Sequence, residues 1–221
     1  MMKINEFEYV KKYKFNHEDE NTNNVRLREL NDLAKYLPDW GINVELGVYN
    51  GVTINCLANA RTDLEFHGFD SFKGLPEDWD MGQKNVKAEA FDRKGELPEV
   101  PDNVKLYKGW FNETLPTFLI EALSPISFLH VDCDIYSSTD YSLNLLNDRI
   151  VPGTIIRFDE LSCWRHVFGE ASPKGKSNRV LYTTWQDHEW KALNEWLDKY
   201  NRKVVPISRN WFQGATVVVT Q

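Results

Sequence analysis

An alternation of short apolar runs with longer amphipathic segments is the feature that most limits how this chain can fold. Runs of strand length lie at residues 42–46, 65–69, 103–107, 126–131 and 154–158. Helical periodicity separates them, which predicts a doubly wound sheet of mostly parallel strands. Residues 203–207 and 215–220 add two strands, whose short link allows only an antiparallel hairpin. We therefore predict an α/β fold with seven strands, one of them an antiparallel edge strand.

The length of 221 residues suits one hydrophobic core, so we predict a single domain. Residues 1–24 are predicted as a polar N-terminal arm and residues 25–221 as a Rossmann-like domain. Residues 71–102 are rich in Gly, Pro and charge, which predicts a long functional loop with one helix near residues 84–93. Other helices are predicted over residues 25–37, 52–60, 113–123, 139–149 and 186–200.

Charge and hydropathy limit the classes of partner. The net charge is −7 and no stripe of Lys and Arg is present, which disfavours nucleic acid and favours a small-molecule ligand. No run of 18 apolar residues occurs and residues 1–16 do not resemble a secretory leader, so we expect a cytoplasmic protein without a membrane span. The three cysteines form neither a CxxC pair nor an even set for disulfides.

A glycine-containing turn follows the first predicted strand. Glu45 precedes it, and Gly47, Tyr49 and Gly51 lie within it, so the backbone can turn tightly and approach a ligand. Asp70 ends the second strand at the distance typical of an acid that binds ribose hydroxyls. Because the turn matches neither GxGxxG nor GxxxxGK[ST], a ligand with a ribose and a charged amino-acid end fits better than a pyrophosphate. A tight turn without a ligand is the alternative interpretation.

Aromatic residues follow the third predicted strand. Gly109 precedes Trp110 and Phe111 at the start of a predicted helix. Gly109 would let the backbone meet the edge of an adenine, and one of the two aromatic rings would cover it. An aromatic core anchor without a ligand explains the same residues equally well.

Carboxylates follow two further predicted strands. Asp132 ends the fourth strand, and Asp159 and Glu160 end the fifth. Neighbouring parallel strands would bring these acids together, and a hard divalent cation such as Mg²⁺ or Ca²⁺ would relieve their repulsion. The alternatives are a solvated acidic rim or a single carboxyl group with a raised pKa.

Four strings in matching order resemble the macrocin O-methyltransferase family: ELGVYNG, GFDSFKGLP, HVDCDIYSST and PGTIIRFDE, within about residues 42–160. These are class I enzymes that use S-adenosylmethionine to methylate hydroxyl groups of sugars in natural products. A more distant resemblance is to the catechol O-methyltransferase group. The resemblance implies S-adenosylmethionine and Mg²⁺ as cofactors and a small hydroxylated acceptor. It also implies a homo-oligomer as one option, and the sequence leaves the oligomeric state open.

The resemblance also implies a role for each matching residue. The methionine end of the cofactor would lie at Glu45, Gly47, Tyr49 and Gly51, its ribose at Asp70 and Ser71, and its adenine at residues 109–111. Mg²⁺ would lie at Asp132, Asp159 and Glu160, and Asp132 would also contact the cofactor.

Two acids and one histidine are candidates for the group that takes the acceptor's proton. Asp132 or Asp134 would act next to the cation, and His166 is the third candidate, with a surface histidine as its alternative interpretation. Ile135 stands where the catechol enzymes have a lysine, which argues against a lysine base. His130 lies inside an apolar strand and is predicted to be structural.

The acceptor pocket is expected to come from the N-terminal arm, residues 72–102 and residues 164–185. Lys174, Lys176 and Arg179 would attract an acidic acceptor if the last segment is a lid, whereas a solvated loop is the simpler interpretation. Three other functions remain open: a metal-dependent hydroxylase or hydrolase, a non-catalytic nucleotide-binding protein, and a nucleic-acid methyltransferase. The last lacks the NPPY-type loop of amino methylases.

Overall fold

A seven-stranded sheet forms the centre of the protein. The computed structural model describes residues 22–161, 182–209 and 213–221. The strands of the sheet are β1 (Ile42–Leu46), β2 (Phe66–Asp70), β5 (Val104–Lys108), β6 (Ile126–Val131), β7 (Ile150–Phe158), β8 (Val204–Arg209) and β9 (Ala215–Val219). Their order across the sheet is β5-β2-β1-β6-β7-β9-β8.

The strand directions confirm the predicted class and correct one detail. The pairs β1–β2, β1–β6, β2–β5 and β6–β7 are parallel, whereas β9 runs antiparallel to both β7 and β8. The antiparallel strand therefore lies inside the sheet, and β8 forms the edge. This order follows because the hairpin folds back and inserts its second strand next to β7.

Helices cover both faces of the sheet. They are α1 (Thr22–Ala34), α2 (Val52–Ala60), α3 (Phe111–Glu121), α4 (Tyr136–Leu146) and α5 (Glu189–Lys199). Apolar residues of α1 and α2 share one core cluster with Phe66, Phe128 and Ile155, and those of α3, α4 and α5 share the other with alternate strand residues. Because β6 is covered on both faces, all six of its residues are buried.

The polar segment after β2 does not contain the helix that was predicted near residues 84–93. It contains a two-stranded hairpin, β3 (Trp79–Asp80) with β4 (Asn85–Val86), and a short 3-10 helix, Ala88–Phe91. The carboxylate of Asp78 accepts hydrogen bonds from Lys87 Nζ at 2.5 Å and from the backbone N–H of Ala88 at 3.0 Å. These bonds cross the loop, so the backbone does not continue as an α-helix.

The connections between strands reverse direction between β1 and β6. The chain moves from β1 to β2 and β5 on one side, and from β6 to β7 on the other. In sheets of this kind the reversal opens a crevice at the carboxyl ends of the two central strands, where ligands bind. No helix among the described residues is both long and apolar enough to cross a lipid bilayer.

Candidate active site

A cavity of about 660 Å³ lies at the carboxyl ends of β1, β2 and β6. Four carboxylates and one guanidinium line it: Asp70, Asp132, Asp134, Glu160 and Arg26. Much of the remaining lining is aromatic or apolar and includes Tyr49, Trp79, Phe91, Trp110 and Phe111. The cavity thus combines an acidic region with large apolar surfaces, as small-molecule sites do.

Asp70 holds the turn that follows β1. Its Oδ2 accepts hydrogen bonds from the backbone N–H groups of Val48 at 2.8 Å and Tyr49 at 2.7 Å, and its Oδ1 accepts one from Phe72 at 2.6 Å. An ionised carboxylate has about four acceptor sites, so one remains on Oδ1. Because Asp70 also lines the cavity, this acceptor site is available to a ligand hydroxyl.

The turn places Gly47 and Tyr49 at the cavity but not Gly51. Gly47 has φ +86°, and a β-carbon there would overlap the backbone carbonyl of Asp132. Gly51, with φ +79°, is the N-cap of α2 and does not line the cavity. Gly51 therefore shapes the turn, and its predicted contact with the cofactor stays a prediction.

Glu45 was predicted to lie at the methionine end of the cofactor, but it is not part of the cavity lining. Its side chain is 2% exposed. Oε1 accepts a hydrogen bond from the hydroxyl of Thr53 at 2.9 Å, and Oε2 pairs with Nδ1 of His130 at 2.8 Å. Burial alone would lower the pKa of His130, but the charge and hydrogen bond of Glu45, together with the Asp159 carboxylate 3.9 Å from Nε2, raise it to about 9. Glu45 and His130 thus form a buried pair between β1 and β6, so His130 is structural as expected.

The residues after β2 and β5 occupy the side of the cavity next to Asp70. Trp110 and Phe111 line it, whereas Gly109 donates its backbone N–H to the Asp70 carbonyl at 3.0 Å and is not part of the lining. Ser71 lines the cavity, but its hydroxyl donates to the Gly74 carbonyl at 3.0 Å and accepts a bond from the Lys73 N–H. Gly109 and Ser71 therefore support the turns that carry the aromatic and acidic side chains.

The acidic cluster differs in one member from the predicted set. Oxygen atoms of Asp132, Asp134 and Glu160 lie within 4.8 Å of one another, with the spacing of a metal site. Asp159 instead accepts hydrogen bonds from Arg26 Nη1 at 2.5 Å and from Arg157 Nη2 at 3.3 Å. Side chains two positions apart in an extended strand point to the same face, so Arg157 and Asp159 share the face covered by α1. Asp134 was predicted as a base and also belongs to this cluster.

Burial and neighbouring charges shift the pKa values of the acids in this cluster. Burial is the main cause in Asp132, Asp134 and Glu160: it raises the pKa of Asp132 to about 6 and the other two well above their ordinary values. Burial would also raise the pKa of Asp159, but the nearby groups of Arg26, His130 and Arg157 hold it below its usual range. Either protons or a cation must therefore compensate the three clustered acids.

The donor atoms of the cluster fit a hard divalent cation. They are all carboxylate oxygens, which Mg²⁺ and Ca²⁺ prefer. Oε2 of Glu160 is buried and has no hydrogen-bond partner among the described residues. A buried acceptor without a partner costs free energy, and a bound cation would satisfy it.

Arg26, which was not predicted from the sequence, lines the cavity and lies 3.5 Å from Asp132. A signal was present, because Arg26 continues the i, i+4, i+7 spacing of the buried Leu30 and Leu33 and so lies on the apolar face of α1. His166, Lys174, Lys176 and Arg179 lie outside the described residues, so their predicted roles remain predictions.

Comparison with known proteins agrees with this arrangement. Residues 44–161, more than half of the chain, match the model of a family described as a methyltransferase domain. The solved structure of the calicheamicin methyltransferase CalS11 is 20% identical, with 87% of this chain and 77% of that chain covered and a TM-score of 0.62. The O-methyltransferase NovP is 22% identical, with 89% and 80% covered and a TM-score of 0.53.

A third similar structure is that of the mycinamycin-pathway methyltransferase MycE in complex with Mg and SAH. It is 14% identical, with 88% of this chain and 49% of that chain covered and a TM-score of 0.53. At these identities the likeness shows the fold. No curated protein sequence matches the chain. The family match and the fold confirm the resemblance that the four sequence strings indicated.

Proposed function

The chain belongs to this methyltransferase family, and on that premise we propose that it transfers a methyl group from S-adenosylmethionine to a hydroxyl group of a small molecule, with a divalent cation at the acidic cluster. The observation that carries the proposal is the shared cavity. Asp70 lies on one side of it, the cluster of Asp132, Asp134 and Glu160 lies on the other, and both are at the switch point of the sheet.

The cofactor would extend along the carboxyl ends of β5, β2, β1 and β6. Trp110 and Phe111 offer apolar faces for the adenine, and the remaining acceptor site of Asp70 suits a ribose hydroxyl. The amino-acid end would lie near Gly47, which lines the cavity at the turn after β1. In this order the sulfonium would lie between Asp70 and the acidic cluster.

Asp132 and Glu160 would hold the cation, with Asp134 completing the cluster. Asp159, part of the set predicted from sequence, would join them only if Arg26 released it. When bound, Mg²⁺ supplies a positive charge that lowers the pKa of an acceptor hydroxyl and fixes its position. Its affinity would fall as the pH drops, because the acids must be ionised to bind it.

The transfer itself is an in-line displacement. The acceptor oxygen forms a bond to the methyl carbon while the bond from that carbon to sulfur breaks, and the electron pair of the broken bond goes to sulfur. Asp134 would take the proton from the acceptor oxygen. Its φ of +63° is rare for a residue with a side chain, and strain of this kind is typical of functional positions. Asp132 and His166 are the other predicted bases.

The acceptor is proposed to be a sugar or a glycosylated natural product. A structure of CalS11 is described as a TDP-rhamnose 3'-O-methyltransferase, which supports this class through the shared fold. In this chain Trp79, Tyr141 and Ser138 also line the cavity and provide flat apolar surfaces beside a hydroxyl. These groups suit a ligand that has both apolar faces and hydroxyl groups.

Methyl transfer from labelled S-adenosylmethionine to a panel of sugars, nucleotide sugars and glycosides tests the proposal. We expect at least one hydroxylated acceptor to be labelled in the presence of Mg²⁺, with loss of labelling in EDTA or in the Asp134→Asn variant. Labelling that is unchanged in EDTA would contradict the role of the cation. Labelling of amines but not hydroxyls would contradict the reaction class.

A further inference from the structure

The charges that line the cavity are unequal. Among the described lining residues, Arg26 is the one lysine or arginine, whereas four are carboxylates: Asp70, Asp132, Asp134 and Glu160. A ligand carboxylate in this cavity would be repelled by the acids unless it lay against Arg26. Arg26 is therefore the side chain of the described lining that can attract a negatively charged ligand group.

The position of Arg26 is fixed by the docking of α1 on the sheet. Glu29, one turn further along α1, pairs with Arg157 of β7 at 3.0 Å, and both side chains are buried. Arg26 itself reaches Asp159 at 2.5 Å and Asp132 at 3.5 Å. These contacts form a chain of alternating charges from α1 to the end of β6, which holds the guanidinium at the cavity wall.

The guanidinium keeps donor capacity toward the cavity. Arginine has five N–H donors in a planar fork, and the contacts with Asp159 and Asp132 leave others free. The side chain is 29% exposed although it lies between two acids, and it lines the cavity together with Gly47. A planar fork of this kind matches the two oxygens of a carboxylate.

We propose that Arg26 binds the α-carboxylate at the amino-acid end of the cofactor. The inference rests on the proposed function, which places that end beside Gly47. Gly47 abuts the backbone of Asp132, and Arg26 contacts the side chain of the same aspartate, so the guanidinium lies at this end of the cavity. Asp159, which is itself held by Arg157, orients Arg26 before the cofactor arrives, which reduces the entropy lost on binding.

A ligand without the carboxylate separates this role from a structural one. The test compares, by calorimetry, S-adenosylhomocysteine with its decarboxylated analogue, 5'-S-(3-aminopropyl)-5'-thioadenosine. Wild type is compared with Arg26→Met, Arg26→Lys and the control Arg28→Met, which changes an exposed arginine of the same helix. Thermal denaturation of each variant verifies that it is folded.

We expect Arg26→Met to weaken binding of S-adenosylhomocysteine by about tenfold or more and to change binding of the analogue by less than about twofold. Arg26→Lys should recover part of the loss, because it keeps the charge but not the fork. Equal weakening of both ligands, or no weakening of either, would overturn the proposal while leaving the methyltransferase function intact. If neither ligand binds the wild type, the proposed function itself fails.

Discussion

Gly47 and Asp132 meet backbone against backbone at the switch point of the sheet. A β-carbon on residue 47 would overlap the carbonyl oxygen of Asp132, and the φ of Gly47 is +86°. The backbone N–H of Asp132 in turn donates to the carbonyl of Leu46 at 2.9 Å. This close approach joins the turn after β1 to the first acid of the cluster, so a shift of either backbone segment would displace the other.

Gly47→Ala is expected to damage both ends at once. The added methyl group would have to push the carbonyl of Asp132 away, and alanine is strained at the positive φ of this position. We therefore predict a loss of at least about 2 kcal/mol in the free energy of unfolding. Urea denaturation measures it. Val52→Ala, at an exposed position after the same turn, is the control and should change stability by less than about 1 kcal/mol. A Gly47→Ala protein of wild-type stability would show that the backbone segments at Gly47 and Asp132 can separate without cost, which would contradict the prediction.

Asp132→Asn is expected to weaken divalent-cation binding by about tenfold or more, because it removes a charged oxygen ligand from the cluster. Binding of Mn²⁺, followed by electron paramagnetic resonance, measures this without an acceptor. The control is Asp102→Asn, an exposed aspartate outside the cavity. Equal Mn²⁺ affinity in all three proteins would place the cation elsewhere or remove it from the account.

Asp134→Asn is expected to lower kcat by about 100-fold or more, because the amide cannot take the acceptor's proton. The fold should survive, since asparagine tolerates the left-handed backbone that Asp134 adopts. Steady-state kinetics with the best acceptor found measure the change in kcat. The affinity for S-adenosylhomocysteine shows separately whether the folded cofactor site is retained. A variant with normal kcat would transfer the role of base to Asp132 or His166.

His67 gives a pH dependence of stability that is independent of the acidic cluster. Burial is the main cause that lowers its pKa below 6.5; Lys105 adds to this and Glu65 opposes it. Nδ1 also lies 3.0 Å from the hydroxyl of Tyr107. Because the folded state disfavours the proton, its contribution to stability is complete above the unfolded pKa and is lost as the pH falls through the folded value.

The measurement for His67 is urea denaturation between about pH 7.5 and about pH 5. Wild type should lose more stability over this range than His67→Gln, which has no titrating ring. An NMR titration of the wild type should place the pKa of His67 below 6.5. A pKa above that value, or equal slopes in the two proteins, would contradict the effect of burial.

Much of the fold followed from periodicity alone. The alternation of strands and helices and the closing hairpin were confirmed, because strand length and helical spacing are local properties of the sequence. The insertion of β9 between β7 and β8 was missed, since it depends on which strand finds the open edge of the sheet. The hairpin within residues 71–102 depends on bonds from Asp78 that cross the loop.

The site was predictable to the level of strand ends. Because Asp70 and Asp132 each end a predicted strand, they were expected to face one cavity, and both line it. The partners of each acid could not be read in the same way: Asp159 is taken by Arg26 from a distant helix, and Glu45 by His130 from a neighbouring strand. Such pairings depend on how separate elements pack, which strand order alone does not determine.

Binding of S-adenosylhomocysteine to the purified protein tests the central claim most directly. Calorimetry with and without Mg²⁺ would compare wild type, Asp70→Asn and the exposed control Asp39→Asn. The account predicts micromolar binding to wild type and to the control. It predicts a loss of about tenfold or more in Asp70→Asn, since that change removes the charge that holds the turn and that would accept a hydrogen bond from the ribose. Absence of binding to wild type under both conditions would contradict a methyltransferase that uses this cofactor.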